Sequence, residues 1–132
     1  MSAGSPPVIQ VDVDGTMAVY TTWRGPEHFG PVIVGVRRAL LKLIEHGYRV
    51  GVYTAREPRH VWHWLQDNDL DHLVFTVSNR KIPGHEAIFD DSSVPVARNT
   101  PNGLLIAVTD YLSLKRVGMP TTNDQPEKGA AA

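Results

Sequence analysis

The strongest constraint on the fold is an apolar run that ends in two acids, Val8-Ile9-Gln10-Val11-Asp12-Val13-Asp14-Gly15. A β-branched run predicts a strand buried on both faces, so its carboxylates are expected where the strand ends. Asp12 and Asp14 share one face if the strand stays regular, whereas Gly15 allows a sharp turn directly after them. Two close carboxylates repel each other, so this position favours a cation or a shared proton. The alternative is a surface turn whose aspartates only cap a helix.

Composition indicates one globular domain and excludes several classes of site. With 132 residues the chain can bury a core without disulfides. The formal net charge of -1 provides no overall basic field that would attract nucleic acid or an anionic membrane. The absence of cysteine excludes disulfides and thiolate metal sites. Because the sequence shows neither a signal-peptide pattern nor a run of membrane-spanning length, we expect a cytoplasmic location.

Both ends of the chain are predicted to be flexible. Residues 1–7 are rich in proline and small residues, and residues 119–132 are polar before they end in three alanines. Neither segment is expected to carry function. Residues 8–118 are therefore predicted to form the single folded domain.

Three further apolar runs, at residues 48–53, 72–77 and 87–89, are each followed by polar side chains. This repetition is typical of a parallel sheet, in which the carboxyl ends of the strands meet at one edge and form the site. The polar side chains at the four predicted strand ends include Asp12, Asp14, Thr54, Lys81, Asp90 and Asp91.

Helical periodicity fills the gaps between these runs. Helices are predicted at residues 31–46 and 57–68, each with a proline at its start, and Trp62 is expected among the inward side chains of the second. The alternating acids at residues 67–71 are only partly similar to a calcium loop, so a turn that ends the helix is predicted there instead. A last helix is predicted after Thr100, although a glycine and a β-prone stretch that follow favour a strand.

Alternating strands and helices predict an α/β fold, a sandwich around a central parallel sheet with right-handed crossovers. The residue types at the strand ends suit phosphoryl chemistry with a divalent cation. Carboxylates supply hard oxygen ligands for Mg²⁺, while a lysine and a hydroxyl can bind phosphoryl oxygens. The sequence therefore predicts a site for Mg²⁺ and a phosphorylated substrate.

Four motifs, in this order, resemble those of the haloacid dehalogenase (HAD) superfamily of phosphohydrolases. The resemblance spans residues 8–95 and implies a three-layer α/β sandwich of Rossmann type with a central parallel sheet. The matching segments are Asp12-Val13-Asp14-Gly15-Thr16, the strand end at residues 50–56, Lys81, and Ile88-Phe89-Asp90-Asp91.

The resemblance also implies a mechanism, phosphate monoester hydrolysis through an aspartyl-phosphate. Asp12 would attack the phosphorus, and Asp14 would protonate the leaving oxygen and then activate water. Thr54 and Lys81 would hold the transferring oxygens. Arg80 directly precedes Lys81 and competes for the role of the lysine.

The resemblance implies Mg²⁺ as the cofactor. Its ligands would be the Asp12 carboxylate, the Asp14 backbone carbonyl and Asp90, with help from Asp91. The sequence departs from the family pattern at Ser92-Ser93, which follow the fourth motif in place of a further acid.

Members of this family often close their site with an inserted cap domain, and the short gap at residues 17–30 implies that no large cap is present here. An open site suits a bulky or macromolecular phosphate ester, nucleotides included, or needs a partner as its lid. Trp23 could stack on a base or sugar, and Arg24 could bind a second phosphate. Arg56 is a further candidate for substrate binding. The alternatives are that Trp23 packs a hairpin onto the domain and that Arg56 only stabilises its loop.

Two other classes of function share part of this residue pattern. A receiver-like domain of phospho-signalling also places acids, a threonine and a lysine on an α/β sheet, but its phosphorylated aspartate lies on the strand where this chain has Thr54. A non-catalytic binding or scaffold module on a HAD-like fold would be indicated by the loss of an essential residue, and no such residue is missing. The phosphatase is therefore the preferred interpretation.

Overall fold

The computed structural model describes residues 6–116. The predicted tail at residues 119–132, and most of the predicted flexible N-terminus, lie outside this range. Within it the elements are, in chain order, β1 (Val8–Asp12), α1 (Val36–Glu45), β2 (Arg49–Tyr53), α2 (Pro58–Asp67), β3 (Thr76–Ser78), β4 (Ala87–Asp90), β5 (Val94–Pro95) and α3 (Gly103–Arg116).

The strands form one parallel sheet in the order β3-β2-β1-β4-β5. This confirms the predicted α/β class, with β1 at the centre. The sequence did not predict β5, because a strand of two residues has no readable periodicity. The central position of β1 places its carboxyl end between the ends of β2 and β4.

The domain is a three-layer sandwich without a large cap: the helices form one outer layer, the sheet lies in the middle, and the β3–β4 connection covers the other face of the sheet. Buried side chains of all three helices join one core cluster with the apolar face of the sheet, which includes Ile9 and Val11 of β1. Right-handed crossovers from β1 to β2 and from β2 to β3 place α1 and α2 on this face. The opposite face carries Gln10 and Gly51, and the β3–β4 connection lies over it, with Ile82 against Gly51.

Helix α1 begins at Val36, so the predicted start at Pro31 was wrong. Residues 31–33 pair instead with the chain that leaves β1. Val32 forms an antiparallel bridge with Ala18, the Ile33 amide donates to the Met17 carbonyl, and these bonds hold the backbone extended. We call the loop that this pairing closes, residues 19–31, the flap.

Helix α2 matches its predicted bounds, and Trp62 is half-buried and packs against the core as predicted, but the buried tryptophan of the helix is Trp64. Trp64 is buried, its indole N–H donates to the Gly30 carbonyl at 3.3 Å, and its ring stacks on Phe29 at 5.6 Å between centroids. The helix thereby anchors the end of the flap. The predicted third strand is also shorter than expected, because residues 71–73 form a 3₁₀ turn before β3.

Helix α3 confirms the predicted helix after Thr100 over the alternative of a strand. It starts after Asn102, which adopts a left-handed conformation at φ 61° and donates its amide to the Val34 carbonyl. No helix within residues 6–116 has the length and apolar character that crossing a bilayer requires.

A polar network ties α3 to the end of the sheet opposite the carboxyl ends of the strands. The Glu86 carboxylate accepts hydrogen bonds from the hydroxyls of Tyr48, at 2.8 Å, and Tyr111, and Lys115 lies 3.3 Å away. Burial raises the pKa of Glu86, but the tyrosine hydrogen bonds and the Lys115 charge together hold that pKa below its usual value. The network is remote from the predicted site, and we assign it to stability.

Candidate active site

Parallel pairing brings the carboxyl ends of β1, β2 and β4 to one edge of the sheet. Asp12, the last residue of β1, is in register with Tyr53, the last residue of β2, and Thr54 follows directly after β2. On the other side Val11 is in register with Phe89 of β4, so the next position on these two strands carries Asp12 and Asp90. Three of the predicted site residues therefore lie on adjacent strand ends.

The Asp12 carboxylate is held in place and lies in a strongly negative environment. Its Oδ1 accepts a hydrogen bond from the Val13 amide at 2.8 Å. The pKa of Asp12 is raised to about 6, chiefly by burial, while the Val13 hydrogen bond opposes that rise. Three neighbouring carboxylates, Asp14, Asp90 and Asp91, make smaller contributions to the increase. Four acids therefore interact at this edge of the sheet.

The chain turns sharply after Asp14, as the glycine at position 15 predicted. Gly15 adopts φ +84°, a backbone conformation that residues with a Cβ rarely adopt. The Val13 carbonyl accepts hydrogen bonds from the amides of Met17 and Ala18, both at 2.9 Å. Asp14 thus leaves the strand and lies on a tight turn beside the end of β1.

Arg56 binds both oxygens of the Asp14 carboxylate. Its Nε donates to Oδ2 at 2.9 Å and its Nη2 donates to Oδ1 at 3.1 Å. The Arg56 side chain is only 4% exposed, whereas that of Asp14 is 26% exposed. A buried bidentate pair of this kind is among the stronger ion pairs in proteins. Arg56, predicted as a substrate ligand, therefore uses two of its donors on a predicted catalytic residue.

The flap supplies the rest of the Arg56 environment. Arg56 Nη1 donates to the Pro26 carbonyl at 3.2 Å, and the guanidinium carbon lies 4.0 Å from the centre of the Phe29 ring. The centre of the Trp23 ring lies 5.1 Å from the same guanidinium carbon. Arg56 therefore connects the flap to Asp14.

Thr54 lies in a buried turn at the end of β2. Its hydroxyl oxygen accepts a hydrogen bond from the Arg56 amide at 3.0 Å. The Asn79 side chain donates to the carbonyls of both Thr54 and Arg56, at 2.7 and 2.9 Å, and so ties this turn to the end of β3. Sequence reasoning missed Asn79 as a structural support, because a polar residue after a strand does not reveal which carbonyls it binds.

Asp90 and Asp91 follow the end of β4 and have different partners. Asp90 Oδ1 accepts hydrogen bonds from the amides of Ser92 and Ser93, at 2.9 and 2.6 Å. The two serines that depart from the family pattern thus orient the Asp90 carboxylate through their backbone. Asp91 is exposed and lies 3.8 Å from the Arg98 guanidinium.

Arg98 is a cation at this edge that the sequence analysis did not single out. Its guanidinium lies against Gly15, so that a Cβ at Gly15 would approach the guanidinium carbon to 2.8 Å. The next residue, Asn99, donates its amide to the Gly15 carbonyl at 2.9 Å and exchanges two side-chain hydrogen bonds with the Tyr20 backbone, both at 2.8 Å. Because Arg98 lies outside the four motifs, no sequence signal indicated its position.

Lys81 lies on the β3–β4 connection, three residues beyond the end of β3. Its side chain and that of Arg80 are both exposed. The Arg80 amide donates to the Ser78 hydroxyl at 2.9 Å, which starts the turn that leads away from the strand. Both cations therefore extend from the turn that follows β3.

Trp23 and Arg24 are both exposed on the flap, Trp23 to 56%. A recess of about 210 Å³ lies between the flap and Arg56, and its basic lining residues are Arg24, His28 and Arg56. A wider recess of about 570 Å³ lies along α2, and it contains none of the predicted site residues. The narrower recess is the one next to the carboxylates, because it includes Arg56.

The donors at the sheet edge fit the predicted Mg²⁺. Asp12 and Asp90 carry carboxylate oxygens, the hard ligands that this ion prefers, and a bound cation would offset both the burial and the carboxylate repulsion that raise the Asp12 pKa. The ligand set that the family resemblance implies combines these two carboxylates with the Asp14 backbone carbonyl. It therefore does not require three acidic side chains in contact with one another.

Among residues 6–116 one trio of acid and histidine side chains does have its ligand atoms within 4.8 Å of one another, Asp69, Asp71 and His72. This trio lies in the turn after α2, away from the strand ends. Arg37 donates to the Asp69 carbonyl at 2.6 Å and lies 3.8 Å from its carboxylate, a position in which it competes with a metal ion. We interpret the trio as the helix-ending turn that the sequence predicted.

Searches of the sequence against protein-family models and against curated proteins find no match.

Proposed function

We propose that the chain is a Mg²⁺-dependent phosphohydrolase that cleaves phosphate monoesters through a phosphorylated Asp12. One observation carries this proposal: Asp12 is half-buried at the centre of the sheet edge beside three further carboxylates, and burial together with their charges raises its pKa. Grouping like charges costs free energy of folding unless a bound cation offsets the repulsion or the charges take part in a reaction. The neighbouring Thr54 adds the hydroxyl that a phosphoryl group needs.

In the first step Asp12 attacks the phosphorus. Its Oδ1 is held by the Val13 amide, which fixes the carboxylate plane, and Oδ2 is left to form the new bond to phosphorus. The bond between phosphorus and the ester oxygen breaks, and that oxygen leaves with its electron pair. The Thr54 hydroxyl and a cation of the β3–β4 connection bind the phosphoryl oxygens in transfer.

Asp14 handles the proton in both steps. It enters the cycle as the protonated acid, gives this proton to the leaving oxygen, and regains a proton from the water that attacks the phosphorylated Asp12. The phosphorus–Asp12 bond breaks, inorganic phosphate leaves and both carboxylates return to their first state. Because both Asp14 oxygens are bound by Arg56, at least one must leave this pair before it can reach the leaving group.

When bound, Mg²⁺ would supply positive charge between the carboxylates and the substrate phosphate. Asp12, the Asp14 carbonyl and Asp90 are the groups that would hold it. The amides of Ser92 and Ser93 fix Asp90 for this purpose.

The open site favours a substrate that is larger than a phosphorylated small metabolite. In place of a cap domain there is only the flap, residues 19–31, which is thirteen residues long. An exposed indole and an exposed guanidinium on this flap offer contacts for a non-reacting portion of the substrate, as a nucleotide or a bulky phosphate ester would present.

The experiment is a screen of phosphate release across nucleotides, sugar phosphates and phosphorylated nucleic-acid ends, with the wild type and Asp12→Asn. The matched control is Asp110→Asn, which makes the same chemical change on the exposed side of α3. We expect release by the wild type and the control, and loss of release in Asp12→Asn with an unchanged circular dichroism spectrum. Turnover by Asp12→Asn equal to that of the wild type would show that Asp12 is not the nucleophile.

A further inference from the structure

Gln10 is a buried polar side chain in the central strand, whose other residues before Asp12 are all apolar. It is fully buried, and its neighbours Ile9 and Val11 point to the other face, into the core. A buried amide costs stability unless its donor and acceptor both find partners. The partners of Gln10 are therefore informative about why the strand carries it.

Both ends of the Gln10 amide bind the backbone of the β3–β4 connection. Its Oε1 accepts a hydrogen bond from the Ile82 amide at 2.9 Å. Its Nε2 donates to the Arg80 carbonyl at 3.2 Å. These two backbone groups belong to the residues on either side of Lys81.

The neighbouring strand is shaped to receive the same segment. Gly51 is in register with Gln10, and a Cβ at Gly51 would approach the Ile82 side chain to 3.2 Å. The connection thus lies close against β1 and β2. Beside Lys81 the connection is held to β1 by the Gln10 side chain, and at its far end the Glu86 amide donates to the Val8 carbonyl at 2.7 Å.

We infer that Gln10 is a positioning residue for Lys81, and this inference rests on the proposed function. Gln10 and Asp12 are two residues apart on the same strand, so one rigid element carries the nucleophile and holds the backbone from which Lys81 extends. The two hydrogen bonds set the distance between the lysine backbone and the strand end. The bonds hold the backbone on both sides of Lys81, at the Arg80 carbonyl and the Ile82 amide, and we therefore take Lys81 as the phosphate ligand that they position.

The first measurement is backbone amide exchange at residues 79–83 of the full chain. Gln10→Met keeps the size of the side chain and removes both hydrogen bonds. We expect exchange at the Ile82 amide to become faster by about tenfold or more beyond any change in global stability. Gln10→Glu keeps the oxygen that accepts from Ile82, and should leave this amide more protected than Gln10→Met does. The control, Ile9→Val, loosens the same strand on its other face.

The second measurement is a double-mutant cycle on kcat/KM with Lys81→Ala. Gln10→Met should lower kcat/KM by about tenfold when Lys81 is present, and by less than about twofold when Lys81 is replaced. A purely structural role for Gln10 would lower it equally in both backgrounds. Ile9→Val should have the same small effect with and without Lys81.

Unchanged Ile82 exchange in Gln10→Met, or equal losses of kcat/KM in both backgrounds, would overturn the inference. The proposed function fails in a different way, namely if the wild type shows no turnover or if Asp12→Asn retains it. In that case the exchange experiment still decides whether Gln10 holds this backbone. Full activity of Lys81→Ala beside an inactive Asp12→Asn would overturn only the role of Lys81 and, with it, this inference.

Discussion

Arg56 holds Asp14 through both carboxylate oxygens, at 2.9 and 3.1 Å, and thereby connects the flap to the turn that follows β1. The pair orients Asp14 and also occupies the atoms that, in the proposed mechanism, would meet the leaving group. Substrate that enters beside the flap would compete for the same guanidinium. Arg56 is therefore expected to affect the chemical step as well as substrate binding.

Replacing Arg56 with lysine should lower kcat/KM by about tenfold or more, because an ammonium group cannot bind both Asp14 oxygens or lie flat on Phe29 as a guanidinium does. The measurement is steady-state kinetics beside thermal unfolding. Arg59→Lys, the same change on the exposed side of α2, serves as the control and should behave as the wild type. Equal kinetics for Arg56→Lys and the wild type would show that the bidentate pair is not needed.

Replacing Trp23 and Arg24 together with alanine should affect the true substrate far more than p-nitrophenyl phosphate. The loss of one stacking contact and one charged contact amounts to roughly 2 to 4 kcal/mol, or about thirty- to a thousandfold in kcat/KM. The small ester, which lacks the non-reacting portion, is the internal control. Equal losses on both substrates would mean that the flap supports the catalytic centre, and no loss on either would mean that it has no role in binding.

Activity should require Mg²⁺ and should be suppressed by Ca²⁺, since the larger ion coordinates more loosely and would misplace the attacking carboxylate. Asp90→Asn removes one charged ligand and should raise the Mg²⁺ concentration needed for half-maximal activity by about tenfold or more. Titration of phosphate release with each ion provides the measurement, with Asp110→Asn as the control. Full activity in EDTA would contradict a metal-dependent mechanism.

The Glu86 network predicts a pH-dependent contribution to stability. Although burial opposes it, the hydrogen bonds from Tyr111 and Tyr48 and the charge of Lys115 lower the pKa of Glu86 from 4.5. A carboxyl whose pKa is lower in the folded state stabilises that state above its unfolded pKa, and loses this effect as the pH falls through the folded pKa. Urea unfolding should therefore show a larger difference between the wild type and Glu86→Gln at pH 7 than below pH 4.5. A difference that stays constant with pH would contradict the ionised network.

The sequence predicts the sheet and the strand-end acids well because both follow from local patterns. A β-branched run that ends in charge marks a buried strand and its exit, as at Asp12 and Asp90. The start of α1 could not be read in this way. Pro31 carries the local signal of a first helical turn, but pairing of residues 31–33 with the chain after β1 overrides it.

The supporting residues of the site depend on contacts between distant parts of the chain. Asn79 acts on the carbonyls at the end of β2, and Arg98 acts beside Gly15, more than eighty positions earlier in the sequence. No spacing rule connects such pairs. In α2 the pattern defines an apolar stripe through Val61 and Leu65, but it does not decide which tryptophan lies under the flap.

The most direct test of the proposed mechanism uses p-nitrophenyl phosphate and Asp14→Asn. Because p-nitrophenolate leaves without protonation, this variant should still complete the first step, and it should lack the base for the second. Rapid mixing followed by acid quench and peptide mass spectrometry should show a burst of about one equivalent of nitrophenolate and a phosphoryl group on the Asp12 carboxylate. A variant that turns over without a burst, or one that carries the phosphoryl group on any residue other than Asp12, would contradict the mechanism.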